Sequence, residues 1–311
     1  MIKQELFSLK SVYREDMQIY GYRFGQGEKT ACIVGAIRGN EVQQLYICSQ
    51  LVDTLKTLEA KGAILYNKEI MVIPSVNHYS MNIGRRFWPN DNTDINRMFP
   101  GYALGETTQR IAAGVFEAVK EYQFGVQCAS FYMPGDFVPH IRMMETGYHN
   151  TSLACMFGFP YVLLRKPKPF DTTLLNYNWQ IWNTSAFSLY TNETDRIDEV
   201  SAHMAVAAIL RFLSRMGVIH YNGHSGYISS VLRDEELKTV KSCAGGIFRR
   251  LVNPGDEVTF GQELAEILDP LEGAVTHQIL SPTDGVIFFA HNNPLVMENT
   301  AVFRIIKRMH V

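Results

Sequence analysis

No stretch of this 311-residue chain reaches the ~20 consecutive apolar residues that span a bilayer. Its opening segment, MIKQELFSLKSVYREDMQ, has no apolar signal core, so neither a membrane span nor a secretory leader is expected. Charge of one sign is also missing. With a formal net charge of −2, neither nucleic acid nor an anionic membrane surface is an expected partner. The five cysteines (Cys32, Cys48, Cys128, Cys155, Cys243) are scattered, odd in number and never spaced as CxxC. That argues against a disulfide framework and against a thiolate zinc site. The expectation is a reduced, cytoplasmic protein. What is present is a globular balance, 46% hydrophobic and 19% charged, in a chain long enough for one large domain and a smaller one.

Residues 30–36 (TACIVGA) and 69–75 (EIMVIPS) are short apolar runs of buried-strand type. Between them, residues 41–58 place Leu45, Cys48, Leu51, Val52 and Leu55 on one helical stripe. A polar loop is expected over 77–101, then a helix over 109–122 capped by Thr108. Further strands are expected at 124–130 and 186–190, and a long helix over 196–216 closed by Gly217. Strands alternating with helices imply an α/β fold, a mixed, mostly parallel sheet flanked by helices. After about residue 223 the helical period disappears. Short β-rich runs follow, broken by turns at Gly255–Asp256 and Asp284–Gly285, the pattern of a small all-β sandwich or barrel. The expected domains are 1–222 and 223–311.

Two segments carry chemistry. In residues 35–43 (GAIRGNEVQ) a strand ends, a glycine turn follows, and Glu41 stands where a helix begins. In residues 84–101 (GRRFWPNDNTDINRMFPG), Arg86, Asn96 and Arg97 offer guanidinium forks and an amide suited to a carboxylate. Internal ion pairs bracing the loop are the rival use of the same residues.

These segments resemble the succinylglutamate desuccinylase/aspartoacylase family, relatives of the zinc carboxypeptidases. The family's G-x-H-G-[DN]-E is met by Gly35-Ala36-Ile37-Arg38-Gly39-Asn40-Glu41. Its R…D-L-N-R-x-F-P-G loop is met by Arg86 and then Asp94-Ile95-Asn96-Arg97-Met98-Phe99-Pro100-Gly101. The C-terminal AGGIF…PGDEVTFGQELAEI…SPTDGVI looks like the barrel-sandwich domain appended to many members. The resemblance implies a carboxypeptidase-like α/β domain, hydrolysis of the amide of N-acyl amino acids, and a zinc that activates water. It also implies that Arg86, Asn96 and Arg97 hold the substrate carboxylate and carbonyl.

Carried over residue by residue, the zinc ligands fall on Arg38, Glu41 and Ala129, and the general base on Tyr190. Arginine has no lone pair for a metal and alanine offers a methyl group, so Glu41 is the one ligand that survives. The expectation is that Arg38 stands in the metal's place and pairs with Glu41, because a buried carboxylate without its cation is costly. The protein then binds a small carboxylate-bearing molecule, its catalysis impaired. The rival expectation is an active hydrolase with a rebuilt metal site drawing on His140, Glu145, Cys128 or Glu193, the last three residues past the missing base. Phe131, Tyr132 and Met133 are expected nearest the ligand. The β-domain lacks the hairpin lysine of a lipoyl or biotin carrier, so it is expected to serve as a lid or an oligomerisation surface, with a homo-oligomer in prospect.

Overall fold

A computed structural model describes residues 1–13 and 15–308. The elements run β1 (Ile2–Leu9), β2 (Met17–Gln26), β3 (Glu28–Ala36), α1 (Val42–Ala60), β4 (Lys68–Ser75), α2 (His78–Asn82), α3 (Thr107–Val119) and β5 (Phe124–Ala129). They continue through β6 (Gly135–Phe137), β7 (His140–Met144), α4 (Thr151–Cys155), β8 (Tyr161–Arg165), α5 (Leu175–Ile181), β9 (Ser185–Tyr190), α6 (Glu199–Arg215) and β10 (Ser230–Arg233). Two compact units result, one of residues 1–130 and 140–231, the other of 131–139 and 232–308. The expected boundary at 222/223 thus differs from the observed one at Val231/Leu232, and residues 131–139 join the second unit from the middle of the first.

The first unit carries a nine-stranded sheet in the order β1-β2-β4-β3-β5-β9-β7-β8-β10. It is mixed. The run β4-β3-β5-β9 is parallel, while β1/β2, β2/β4 and β9/β7 pair antiparallel. Strand alternation splits its side chains between two cores. Ala31, Ile33, Val126 and Cys128 face one way, under Leu51 and Leu55 of α1 and Ile209 and Phe212 of α6. Cys32 and Val34 face the other way, under Ile111 and Val115 of α3 and Trp179 of α5. Such burial on both sides is why these strands read as unbroken apolar runs.

Helix ends depart from expectation. The cap of α3 is Glu106, with Gln109 closing a capping box, so Thr108 lies inside the helix. Helix α6 begins at Glu199, where the Asp198 carboxylate accepts from the N–H groups of Val200 and Ser201. Gly217 follows its end with φ of 66°, the left-handed conformation that closes a helix.

The second unit adds β11 (Lys238–Lys241), β12 (Gly246–Arg250), β13 (Glu257–Val258), β14 (Glu263–Leu268), β15 (Val275–Leu280), β16 (Gly285–His291), β17 (Leu295–Val296) and β18 (Ala301–Lys307). One sheet orders β11-β18-β16-β13 with β6 paired to β16, and the other β15-β14-β12-β17. Phe248, Leu264, Ile267, Ile287 and Phe303 form its separate core.

Candidate functional site

The turn after β3 folds back on itself through Glu41. Instead of capping α1, its carboxylate accepts at Oε2 from the backbone N–H groups of Ile37 (2.7 Å) and Arg38 (2.9 Å). At Oε1 it accepts from Arg38 Nη1 (2.9 Å) and from the Ser130 hydroxyl at the end of β5. Arg38 turns its other edge to Asp94, with Nε 3.1 Å and Nη2 2.9 Å from that carboxylate. Asp94 in turn accepts from the Asn96 N–H, and Arg97 Nε stands 3.8 Å from it. Arg38 is 2% exposed and Glu41 0%, so this chain of charges is buried, and its members neutralise one another.

Gly39 makes the turn possible. A Cβ there would lie 2.1 Å from the Arg85 carbonyl oxygen. Its N–H donates to the Arg86 carbonyl (2.9 Å), which docks the Arg86 loop on the turn. The loop is braced as well as basic: Arg97 Nη1 donates to the Phe170 carbonyl (3.0 Å). Asn96, 5% exposed, leaves its Oδ1 without a partner among the described residues. The bracing use of this loop is therefore visible in its geometry.

Tyr190, which the resemblance puts at the base position, is held by β7. His140 stacks on its ring (5.1 Å between centroids, 7° apart), and Arg142 lies over the same ring and donates to its hydroxyl at 3.3 Å. Glu193 sits in a loop placed over the start of α1, where the Gln43 N–H donates to the Thr194 carbonyl (3.1 Å). Among the rival metal ligands, His140 and Glu145 bracket β7 and stand about 16 Å apart at ~3.3 Å per residue. Cys128 faces away from the site, its Sγ 3.9 Å from Cys48 Sγ. Burial pushes both the Cys32 and Cys48 thiols up, with Cys128 beside Cys48 the larger influence on the latter. Among the described residues, no three His, Cys, Asp or Glu side chains gather as a metal site.

The side chain that reaches Glu41 from the end of β5 is that of Ser130, one residue past Ala129, which the resemblance gives as a ligand position. Phe131, Tyr132 and Met133 belong to the second unit, where Phe131 stacks on Phe137 with centroids 3.4 Å apart. Sequence reasoning missed Ser130 and the role of Asp94. The signal for Asp94 lay in plain view, an acid two residues before Asn96 in the loop that follows Arg38.

The zinc implied by the family does not fit these residues. A carboxylate offers about four lone-pair positions. All four of Glu41's accept hydrogen bonds, and a guanidinium lies where a cation would bind.

Residues 27–126 match the profile of the succinylglutamate desuccinylase/aspartoacylase catalytic domain. Over 88 residues the chain is 30% identical to an N-alpha-acetyl-L-2,4-diaminobutyric acid deacetylase of Halomonas elongata, covering 28% of this chain and 24% of the relative. The match thus spans about a quarter of that relative's length. A succinylglutamate desuccinylase of Silicibacter sp. TM1040 shares the fold at TM-score 0.79 and 18% identity, covering 97% of this chain and 92% of that one. The ectoine utilization protein EutE (DoeB) of Ruegeria pomeroyi does so at 0.76 and 18%, covering 93% and 89%. Motif, profile and fold agree: residues 27–126 carry the catalytic-domain profile of the succinylglutamate desuccinylase/aspartoacylase family, and the chain shares the fold of these solved structures.

Proposed function

We propose that this protein binds a small carboxylate-bearing molecule, of the N-acylated amino acid kind, and that the zinc-water hydrolysis of its family is impaired or absent in it. The carrying observation is the buried pair of Arg38 Nη1 and Glu41 Oε1 at 2.9 Å, in a carboxylate that already accepts three other hydrogen bonds. A guanidinium is permanently protonated, so it supplies positive charge there without coordinating or activating a water. Tyr190 stands at the base position, and a phenol lacks the carboxylate with which a glutamate takes a proton from water. The loop keeps its recognition chemistry in Arg86, Asn96 and Arg97. The deacetylase named among the relatives supports the ligand class.

Calorimetry with a panel of N-acetyl amino acids, run beside a turnover assay with and without added zinc, tests the reading. Binding without turnover is expected, weakened roughly tenfold or more by Arg97→Ala through loss of charge-assisted hydrogen bonds. Zinc-dependent hydrolysis that disappears in Glu41→Ala would overturn it.

A further inference from the structure

Asn176 on α5 is 2% exposed, yet neither its Oδ1 nor its Nδ2 has a hydrogen-bond partner among the described residues. A buried amide is normally satisfied, because leaving it unmatched costs on the order of 1–3 kcal/mol per group. Four residues on, on the same helix face, Gln180 is 1% exposed. Its Oε1 accepts from the Thr146 hydroxyl (3.1 Å), while its Nε2 is also unmatched. Two adjacent buried amides thus present unused donors and an unused acceptor.

Their position follows from the packing of α5 on β5 and β9. Trp179 covers Gly125, where an added Cβ would meet its ring at 2.7 Å, and its indole N–H donates to the Val119 carbonyl at 3.1 Å. The helix leads back to the start of β9, since the Thr184 N–H donates to the Trp179 carbonyl (2.9 Å) and the Thr184 hydroxyl to that of Tyr122 (2.9 Å), just before β5. Asn176, three residues before Trp179, is therefore displaced about 4.5 Å toward the strand ends. The next strand positions on that face lie ~6.6 Å beyond Gly125, and they are Gln127 and its partner Ser188. The segment before α5 is tied to the candidate site, for the Phe99 N–H donates to the Thr173 carbonyl (3.0 Å) and Arg97 to that of Phe170. Asn176 thus sits on the sheet face that carries Gln127 and Ser188, on a helix whose preceding segment is hydrogen-bonded to the Arg97 loop.

We propose that Asn176 is a specificity-determining residue of this site, whose amide reads an uncharged ligand group with a donor and an acceptor on neighbouring atoms, as an amide has. The inference rests on the ligand-binding reading above and deepens it. An amide on Asn176 satisfies both of its atoms at once. A free ammonium leaves the donor unmatched, and a second carboxylate leaves the acceptor unmatched. The residue therefore separates an acylated amino acid from its deacylated form.

Asn176→Leu, close in volume and unable to hydrogen-bond, supplies the test with two readouts. The first is the thermal midpoint without ligand. Replacing an unmatched buried amide by an apolar isostere leaves the midpoint unchanged or raises it, whereas a structural amide lowers it by several degrees. The second is calorimetry with N-acetyl-L-aspartate, N-acetyl-L-glutamate and N-alpha-acetyl-L-2,4-diaminobutyrate. Those that bind the wild type lose roughly tenfold or more in the variant. A lowered midpoint, or unchanged affinity for a probe the wild type binds, overturns the role of Asn176. A wild type that takes none of the three counts against the ligand-binding reading itself and removes the ground for this one.

Discussion

Arg38 and Glu41, three residues apart at the foot of α1, form an ion pair of 2.9 Å with side chains 3% and 1% exposed. Arg38 simultaneously spans the gap to Asp94 at 2.9 Å, so one guanidinium serves two buried carboxylates. Truncating it removes the cation from Glu41 and leaves Asp94 with the more distant Arg97, 3.8 Å away. Arg38→Met is expected to cost about 3–5 kcal/mol, measured by urea unfolding, because the uncompensated charges remain buried. Arg38→Lys should recover only part of this, since an ammonium cannot present a planar fork to two partners. A loss no larger than that of a surface pair, about 1 kcal/mol or less, would contradict the arrangement.

Ser130, and not Ala129, reaches Glu41 from the end of β5. If that strand end once carried a metal ligand, imidazole should be restored there. Arg38→His with Ser130→His is expected to retain zinc through dialysis, read by elemental analysis, whereas Arg38→His with Ala129→His is not. Equal retention by both pairs would remove the register argument.

His78 has its pKa lowered by burial. A depressed histidine binds fewer protons folded than unfolded. Its contribution to stability is therefore complete above the unfolded value of ~6.5 and is lost as pH falls through the lower folded value. Asn77 accepts from Ser80 to start the short helix that carries this residue, so the helix survives a polar replacement. In His78→Gln the unfolding midpoint should fall less between about pH 7 and pH 5 than in the wild type. An identical slope would show that this imidazole does not titrate differently in the two states.

The thiols are sorted by burial. Cys32, Cys48 and Cys128 are buried, Cys155 is intermediate and Cys243 is exposed. Thiolate is the reactive form, and burial holds Cys32 and Cys48 protonated. A disulfide reagent should label Cys243 rapidly in the native protein and the buried thiols only after denaturation. Persistence of the fast phase in the double variant Cys155→Ser, Cys243→Ser would show that a buried thiol is accessible.

Strands such as β3 and β5 were legible because burial on both faces writes itself as an apolar run. β1 was not, since residues 2–5 are exposed and carry no such pattern. β7 and β8 were missed for another reason. They are five residues each, with polar His140, Arg142 and Arg165 along them, and short polar strands lack a detectable period. Ser130 was overlooked because a one-residue shift at a strand end changes which side chain faces the site, and sequence spacing does not set where the strand stops.

The sequence by itself determined the resemblance to the family, the α/β order of the first unit, the β character of the second, and the placing of Arg38 three residues before Glu41. These follow from local pattern and from the identity of single residues. Only the tertiary structure decided that Asp94 shares Arg38 with Glu41, that His140 and Arg142 flank Tyr190, and that the Asn176 amide is buried and unmatched among the described residues. Those relations join segments far apart in the chain, and a side chain's charge balance or hydrogen bonding is set by the neighbours that packing brings to it.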